Sequence, residues 1–174
     1  MNDFLGCAGL TKFATYEIRK ESSMATKTPF NIADTIGYDI YLVYRRMRKN
    51  FLQTAANNGF DITPEQWFTM NKLRNGEPMT QTDLLDDGFN DRPNITRILG
   101  QLEAKGWVQR EDDPNDGRKH IVTLTKKGRK IHDQFDQAMT PVRDDLYKTI
   151  PDSELEACRN TIKKIDEQLR EAQN

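Results

Sequence analysis

Residues 80–130 read TQTDLLDDGFNDRPNITRILGQLEAKGWVQREDDPNDGRKHIVTLTKKGRK, and the order of signals in this stretch decides the fold. Thr80 to Asp83 opens a short helix through Leu84 and Leu85 that ends near Gly88. Asn90 or Asp91 caps a second helix, which has Pro93 in its first turn, runs to Lys105 and stops at Gly106. Trp107–Glu111 and Lys119–Leu124 read as two short strands, joined by the turn-formers Asp112 to Gly117. A short helix, a turn, a second helix and then a hairpin make a winged helix-turn-helix. The fold class expected is mainly α with a small β-hairpin wing.

Periodicity extends the pattern outward. From Phe30 to about Asn57, the apolar residues Ile32, Ile36, Ile40, Val43, Met47 and Phe51 share one face of a long helix that Asn58-Gly59 ends. Thr63-Pro64-Glu65-Gln66 starts another, with Thr63 as N-cap, Pro64 at the first helical position and Gln66 closing a capping box. It carries Trp67, Phe68, Met70 and Leu73 and stops at Asn75-Gly76. Thr125 caps a helix through Ile131, Phe135, Met139 and Val142, which Pro141 should kink. Ser153 to Glu156 fits a further capping box. Behind it Leu155, Cys158, Ile162, Ile165 and Leu169 form a heptad-like stripe able to pack on another helix.

On the helix from Arg92 to Lys105, Ile95, Ile98, Leu99 and Leu102 share a face. Half a turn away lie Pro93, Arg97 and Gly100, flanked by Asn94, Thr96 and Gln101. That face is small and polar with one long basic side chain, which suits entry into a major groove and donors toward base edges. The helix start, at Arg92, also aims backbone amides at phosphate. Any surface helix has a polar face, so the following hairpin matters. Its loop is acidic, but Arg110 precedes it and Arg118 and Lys119 follow. Such a hairpin can lay an arginine in a minor groove, with Asp116 orienting Arg118, or it can be an ordinary turn with an internal ion pair.

The chain carries 26 Lys and Arg against 27 Asp and Glu, a net charge of −1, with 30% charged residues and a mean hydropathy of −0.83. No run approaches the roughly 18 apolar residues of a membrane span, and no membrane partner is expected. A net −1 argues against nucleic acid if read alone. Residues 91–130 hold ten Lys and Arg against six Asp and Glu, however, a local +4 that leaves −5 for the rest. Phosphate contacts respond to that local excess. Two cysteines, Cys7 and Cys158, suit a reducing cytoplasm and exclude a disulfide scaffold. Residues 1–23 have weak periodicity, and Met24-Ala25-Thr26 reads like a natural start, so the first 23 residues are expected to be dispensable.

Enzyme chemistry finds no foothold: there is no Gly-rich phosphate loop, nucleophile elbow or His-Glu-x-x-His pattern. His120 and His132 lack companions at metal-ligand spacing, so no metal and no cofactor are expected.

Leu84-Leu85 through Gly106, Trp107-Val108-Gln109-Arg110, Asp113-Pro114-Asn115-Asp116-Gly117-Arg118 and Leu124-Thr125-Lys126-Lys127-Gly128-Arg129 together resemble the core of the MarR family. The likeness is continuous over some 45 residues and, through the flanking helices, reaches from Ile32 to Leu169. It implies a homodimer with interlocking N- and C-terminal helices, a recognition helix in each major groove and a wing in the flanking minor groove of double-stranded DNA. By position, Pro93, Asn94, Thr96 and Arg97 would contact bases or backbone, and Arg118 the minor groove with Asp116 as partner. Many relatives have Ser or Thr in place of Pro93 and Asn94, so base preference does not transfer. The resemblance further implies release of DNA by a small aromatic acid or phenolic ligand. Tyr38, Tyr41, Arg45, Trp67, Met70 and His132 are candidates for holding it, set against their alternative role in packing.

The expected organisation is an N-terminal extension over 1–29 that need not be ordered, a dimerisation region from 30–60 and 141–174, and a DNA-binding domain over 61–140. The expected function is a cytoplasmic, sequence-specific transcription regulator, a repressor by steric exclusion, acting on an inverted repeat. The alternatives are an oxidant sensor working through Cys7, and a winged helix used for sequence-neutral DNA architecture or protein binding.

Overall fold

The computed structural model describes residues 31–75, 78–88, 92–113 and 116–173, with the side chains of 75, 86–88, 117–119 and 173 outside that description. The extension with Cys7, the caps at Asn90 or Asp91, and the side chains of Arg118 and Lys119 therefore lie outside the described residues. Five α-helices occur in them: α1 Ile36–Asn57, α2 Pro64–Lys72, α3 Arg92–Ala104, α4 Lys126–Tyr147 and α5 Asp152–Gln173. Three strands, β1 Met79–Thr80, β2 Val108–Asp113 and β3 Asp116–Leu124, form an antiparallel sheet in the order β1-β3-β2. The chain divides into a unit that ends at Leu42 and a second from Val43 onward. Among the described residues no helix is long and apolar enough to cross a membrane.

Local chemistry sets the ends of these elements. Asn31 caps a 3-10 turn at Ile32–Asp34, so α1 starts at Ile36 and Ile32 precedes it. Gly59, at φ +73°, ends α1: Phe60 N–H reaches Ala55 O and Gly59 N–H reaches Ala56 O, a Schellman closure. Gly106 at φ +68° ends α3 in the same way, through Trp107 N–H to Leu102 O and Gly106 N–H to Glu103 O. Both bonds of the capping box expected at Thr63 and Gln66 are present. Thr80 and Asp83 exchange a reciprocal pair of bonds that opens the segment Asp83–Gly88. That segment is a 3-10 helix of six residues.

Three expectations need correction. The wing has a third strand, because Met79 pairs with Val122 and Thr80 with Ile121. The hairpin loop is shorter than Asp112 to Gly117: β2 and β3 stay paired out to Asp113 and Asp116, with a register shift between Asp112 and Asp113. Helix α5 begins at Asp152, with Ser153 already inside it and Pro151 O accepting from Glu154 and Leu155. Ser153 is therefore not its cap. Helix α4 continues through Pro141 to Tyr147.

The core gathers around Phe135 of α4, whose ring meets Phe51, Phe60 and Trp67 edge-on at centroid distances of 4.9, 5.3 and 5.0 Å. Met70, Leu73, Leu84, Val122 and the apolar face of α3 complete it. At the start of α4 the backbone closes tightly onto the strand entry. Thr125 caps the helix by accepting from Gly128 N–H, and its own hydroxyl donates to Gly106 O at 2.7 Å. A Cβ on Gly128 would lie 1.9 Å from Trp107 O. Gly128→Ala is thus expected to force helix and strand apart at a cost of roughly 3 kcal/mol. Calorimetry should show the thermal midpoint falling by roughly 6–12 °C; a midpoint within about 2 °C of the parent would refute this close approach.

Candidate nucleic-acid interface

Helix α3 carries two unlike faces. Ile95, Ile98, Leu99 and Leu102 are buried, while Arg92, Pro93, Thr96, Arg97, Gly100 and Gln101 are exposed and Asn94 is half-buried. Its first turn holds Arg92 and no acid, so the amide dipoles and a cation add at that end. The face is narrow, since Pro93 and Gly100 stand beside Arg97 and Gln101. The structure thus brings the helix candidates onto one exposed strip.

Hydrogen bonds order that strip. Arg97 Nη2 donates to Asn94 Oδ1 at 2.7 Å and Nη1 to Gln101 Oε1 at 3.4 Å. Thr96 donates its hydroxyl to Arg92 O at 2.8 Å and accepts from Gln81 Nε2 at 2.6 Å. Gln81 sits just before the 3-10 helix, so the helix-turn-helix is tied across its turn by this bond. Gln66 of α2 reaches Gln101 from below, Nε2 to Oε1 at 3.1 Å.

The hairpin beside α3 bears Arg110, whose Nε lies 3.3 Å from Glu103 Oε2 of α3. Arg110 is half-buried, and that nitrogen lacks well-directed hydrogen-bond geometry, so the pair acts as a Coulombic tie between wing and helix. Asp112 pairs with His120 Nδ1 at 3.1 Å on the exposed edge. Asp116 is half-buried at the start of β3. Its expected pairing with Arg118, and the position of the Lys119 amine, fall outside the described side chains.

Of the ligand candidates on the second unit, Trp67, Met70 and His132 lie together. Trp67 and His132 stack face to face at 4.2 Å and Met70 is wholly buried, so these three belong to the core. Tyr41 is exposed and Tyr38 half-buried on the N-terminal unit. Arg45 lines a separate groove of about 390 Å³ with Arg48, Lys49, Leu52, Gln53 and Ala56. His132 also borders a small pocket of about 220 Å³ with Arg74, Leu124, Arg129 and Asp133. Its Nε2 lies 3.1 Å from Asn71 Oδ1, which is turned that way because Asn71 Nδ2 donates to Trp67 O. Burial holds the imidazole pKa below the usual histidine value, with Arg74 adding repulsion, although Asp133 and Asp136 oppose them.

Sequence reasoning missed Gln66, Gln81 and Glu103 as partners of this surface. The spacing of Asn94, Arg97 and Gln101 at three and four residues was a readable signal for the intrahelical bonds. The bonds from Gln66 and Gln81 bridge 35 and 15 residues, and no local pattern announces them.

A model described as the MarR family matches residues 62–120. The chain is 31% identical over 112 residues to the HTH-type transcriptional repressor NicR of Pseudomonas putida, covering 64% of this chain and 70% of the relative. It is 30% identical over 142 residues to the multiple antibiotic resistance protein MarR of Salmonella typhimurium, covering 81% and 97%. Among solved structures, a mutant MarR from Escherichia coli complexed with operator DNA superposes with a TM-score of 0.70 at 27% identity, covering 79% of this chain and 98% of that one. The S. aureus MepR–DNA complex does so with 0.70 at 25% identity, covering 78% and 98%.

The buried ring makes a pH dependence that can be measured. Folding lowers the His132 pKa, so the unfolded chain binds the extra proton more readily. Its contribution to stability is complete above about pH 6.5 and declines as pH falls toward the folded value. Between about pH 7 and pH 5 the parent should lose thermal midpoint more steeply than His132→Gln. Equal slopes for the two proteins would contradict a depressed imidazole pKa.

Proposed function

The chain belongs to the MarR family, and from that premise we propose that it is a homodimeric repressor that binds an inverted repeat in double-stranded DNA. Each copy lays α3 in a major groove and the β2–β3 hairpin in the adjoining minor groove. The observation that carries this is the strip of Pro93, Asn94, Thr96, Arg97 and Gln101, set outward by the buried opposite face of α3. The neighbouring hairpin contributes Arg118 and Lys119, and Arg92 stands at the helix start. Similar proteins solved in complex with DNA, one of them with operator DNA, support duplex binding.

Exposed apolar side chains support the dimer. Ile36, Ile40, Val43 and Met47 of α1 and Ile162 and Leu169 of α5 are open to solvent in the single chain. Singly these are ordinary, but at helical spacing they make stripes that a partner covers. A groove of about 650 Å³ between Asn50 and Pro141, Val142, Asp145 and Leu146 offers room for a partner's helix. The dimerisation region is accordingly 30–60 with 141–174, and the DNA-binding domain 61–140. A small aromatic acid or phenol as releasing ligand fits the Arg45 groove, where Arg45 and Lys49 stand beside Leu52 and Ala56 and Arg48 is paired with Glu65. Trp67, Met70 and His132 contribute to it only if the core opens.

Selection of bound sequences from a random duplex pool tests the reading. The recovered sites should hold two half-sites about one helical turn apart, bound roughly a thousandfold more tightly than random duplex. Arg97→Ala should cost about 1–3 kcal/mol on the selected site and less on random DNA. Arg118→Ala should weaken both by a similar factor. Recovery of no common sequence would favour an architectural binder instead.

A further inference from the structure

We propose that Gln66, buried beneath the recognition helix, is a positioning residue that fixes Gln101 and Arg97 for the duplex. The inference rests on the reading of α3 as the groove-facing helix. Gln66 is 3% exposed, and a buried amide must satisfy both its ends. Its Oε1 accepts from Thr63 N–H at 3.3 Å and from Lys105 Nζ at 3.4 Å. Its Nε2 is thereby turned toward Gln101, 3.1 Å away.

This bond sets the direction of a second amide. Gln101 Oε1 receives Gln66 Nε2 and also Arg97 Nη1, so the Gln101 amine points away from both. Arg97 is held at its other edge by Asn94. A line of hydrogen bonds thus runs from the cap of α2 to the guanidinium on the surface. Holding a long side chain in place before binding is worth roughly 2- to 12-fold in affinity. It also fixes specificity: Gln101 presents donors only, suited to a phosphate oxygen or to the O6 and N7 acceptors of guanine. It cannot make the paired donor–acceptor bonds that read adenine.

Gln66→Glu in the full chain tests this. The carboxylate still accepts from Thr63 and Lys105 but offers Gln101 no N–H. Affinity for the selected duplex should fall by about 3- to 10-fold, while random-duplex binding stays within about threefold. In a Gln101→Ala background the same substitution should have no further effect. Parent-like binding of the selected duplex, equal losses on both duplexes, or effects that add across the two sites would each overturn the inference while leaving the groove reading intact. A parent that prefers no sequence overturns both. If Gln66→Glu does not fold, Gln101→Ala alone must lose affinity on the selected duplex; if it does not, the positioning role fails.

Discussion

The burial of one face of α3 governs everything the surface does. Ile95, Ile98, Leu99 and Leu102 are each at most 1% exposed. Burying such side chains contributes about 1.5–3 kcal/mol apiece. Rotating the helix by a third of a turn would surrender most of that and drive Arg97 into the core. The outward strip therefore has one available orientation, chosen by packing rather than by any contact to DNA. The two ends of the helix are held as firmly: Gln81 grips Thr96 near the start, and Gly106 closes the end before Trp107 enters the sheet. Gly128 then lets α4 sit directly on Trp107 O, which ties the wing root to the core.

Much of this was legible in the sequence because the signals are local. Thr63 with Gln66, Thr80 with Asp83, Thr125 with Gly128, and Gly59 and Gly106 each act within a few residues. Their side chains and φ angles do in the structure what their spacing announces. The two faces of α3 follow from 3.6-residue periodicity in the same way. The rest depends on partners distant in sequence. A two-residue strand at Met79–Thr80 has no alternation to read, and exists because β3 lies beside it. Asp112, Asp113 and Asp116 are turn-formers by composition, yet cross-strand pairing recruits them. Trp67, Met70 and His132 are the residue types of a ligand pocket and equally of a core; only their burial separates the two.

The charge of the molecule is arranged to fit the same logic. A chain with a net charge of −1 can hold phosphate only by concentrating cations, as residues 91–130 do. Some of those cations are occupied internally. Arg110 pairs with Glu103, and Lys105 with Asp61 while also lying over the Trp107 ring at 4.8 Å. The first pair ties the wing to α3, and the second ties the end of α3 to the loop before α2. Arg92 and Arg97 lie exposed on α3, with Arg97 bonded along that strip to Asn94 and Gln101.

Chemical interference mapping addresses the central claim most directly. Guanines methylated at N7 in a selected duplex, and separately adenines methylated at N3, are scored for loss of binding by the full chain. Two major-groove patches on one side of the duplex, about 34 Å apart, with minor-groove interference just outside each, are the result expected. Interference confined to the minor groove, or a single major-groove patch, would contradict the presentation of α3 by two copies of this fold.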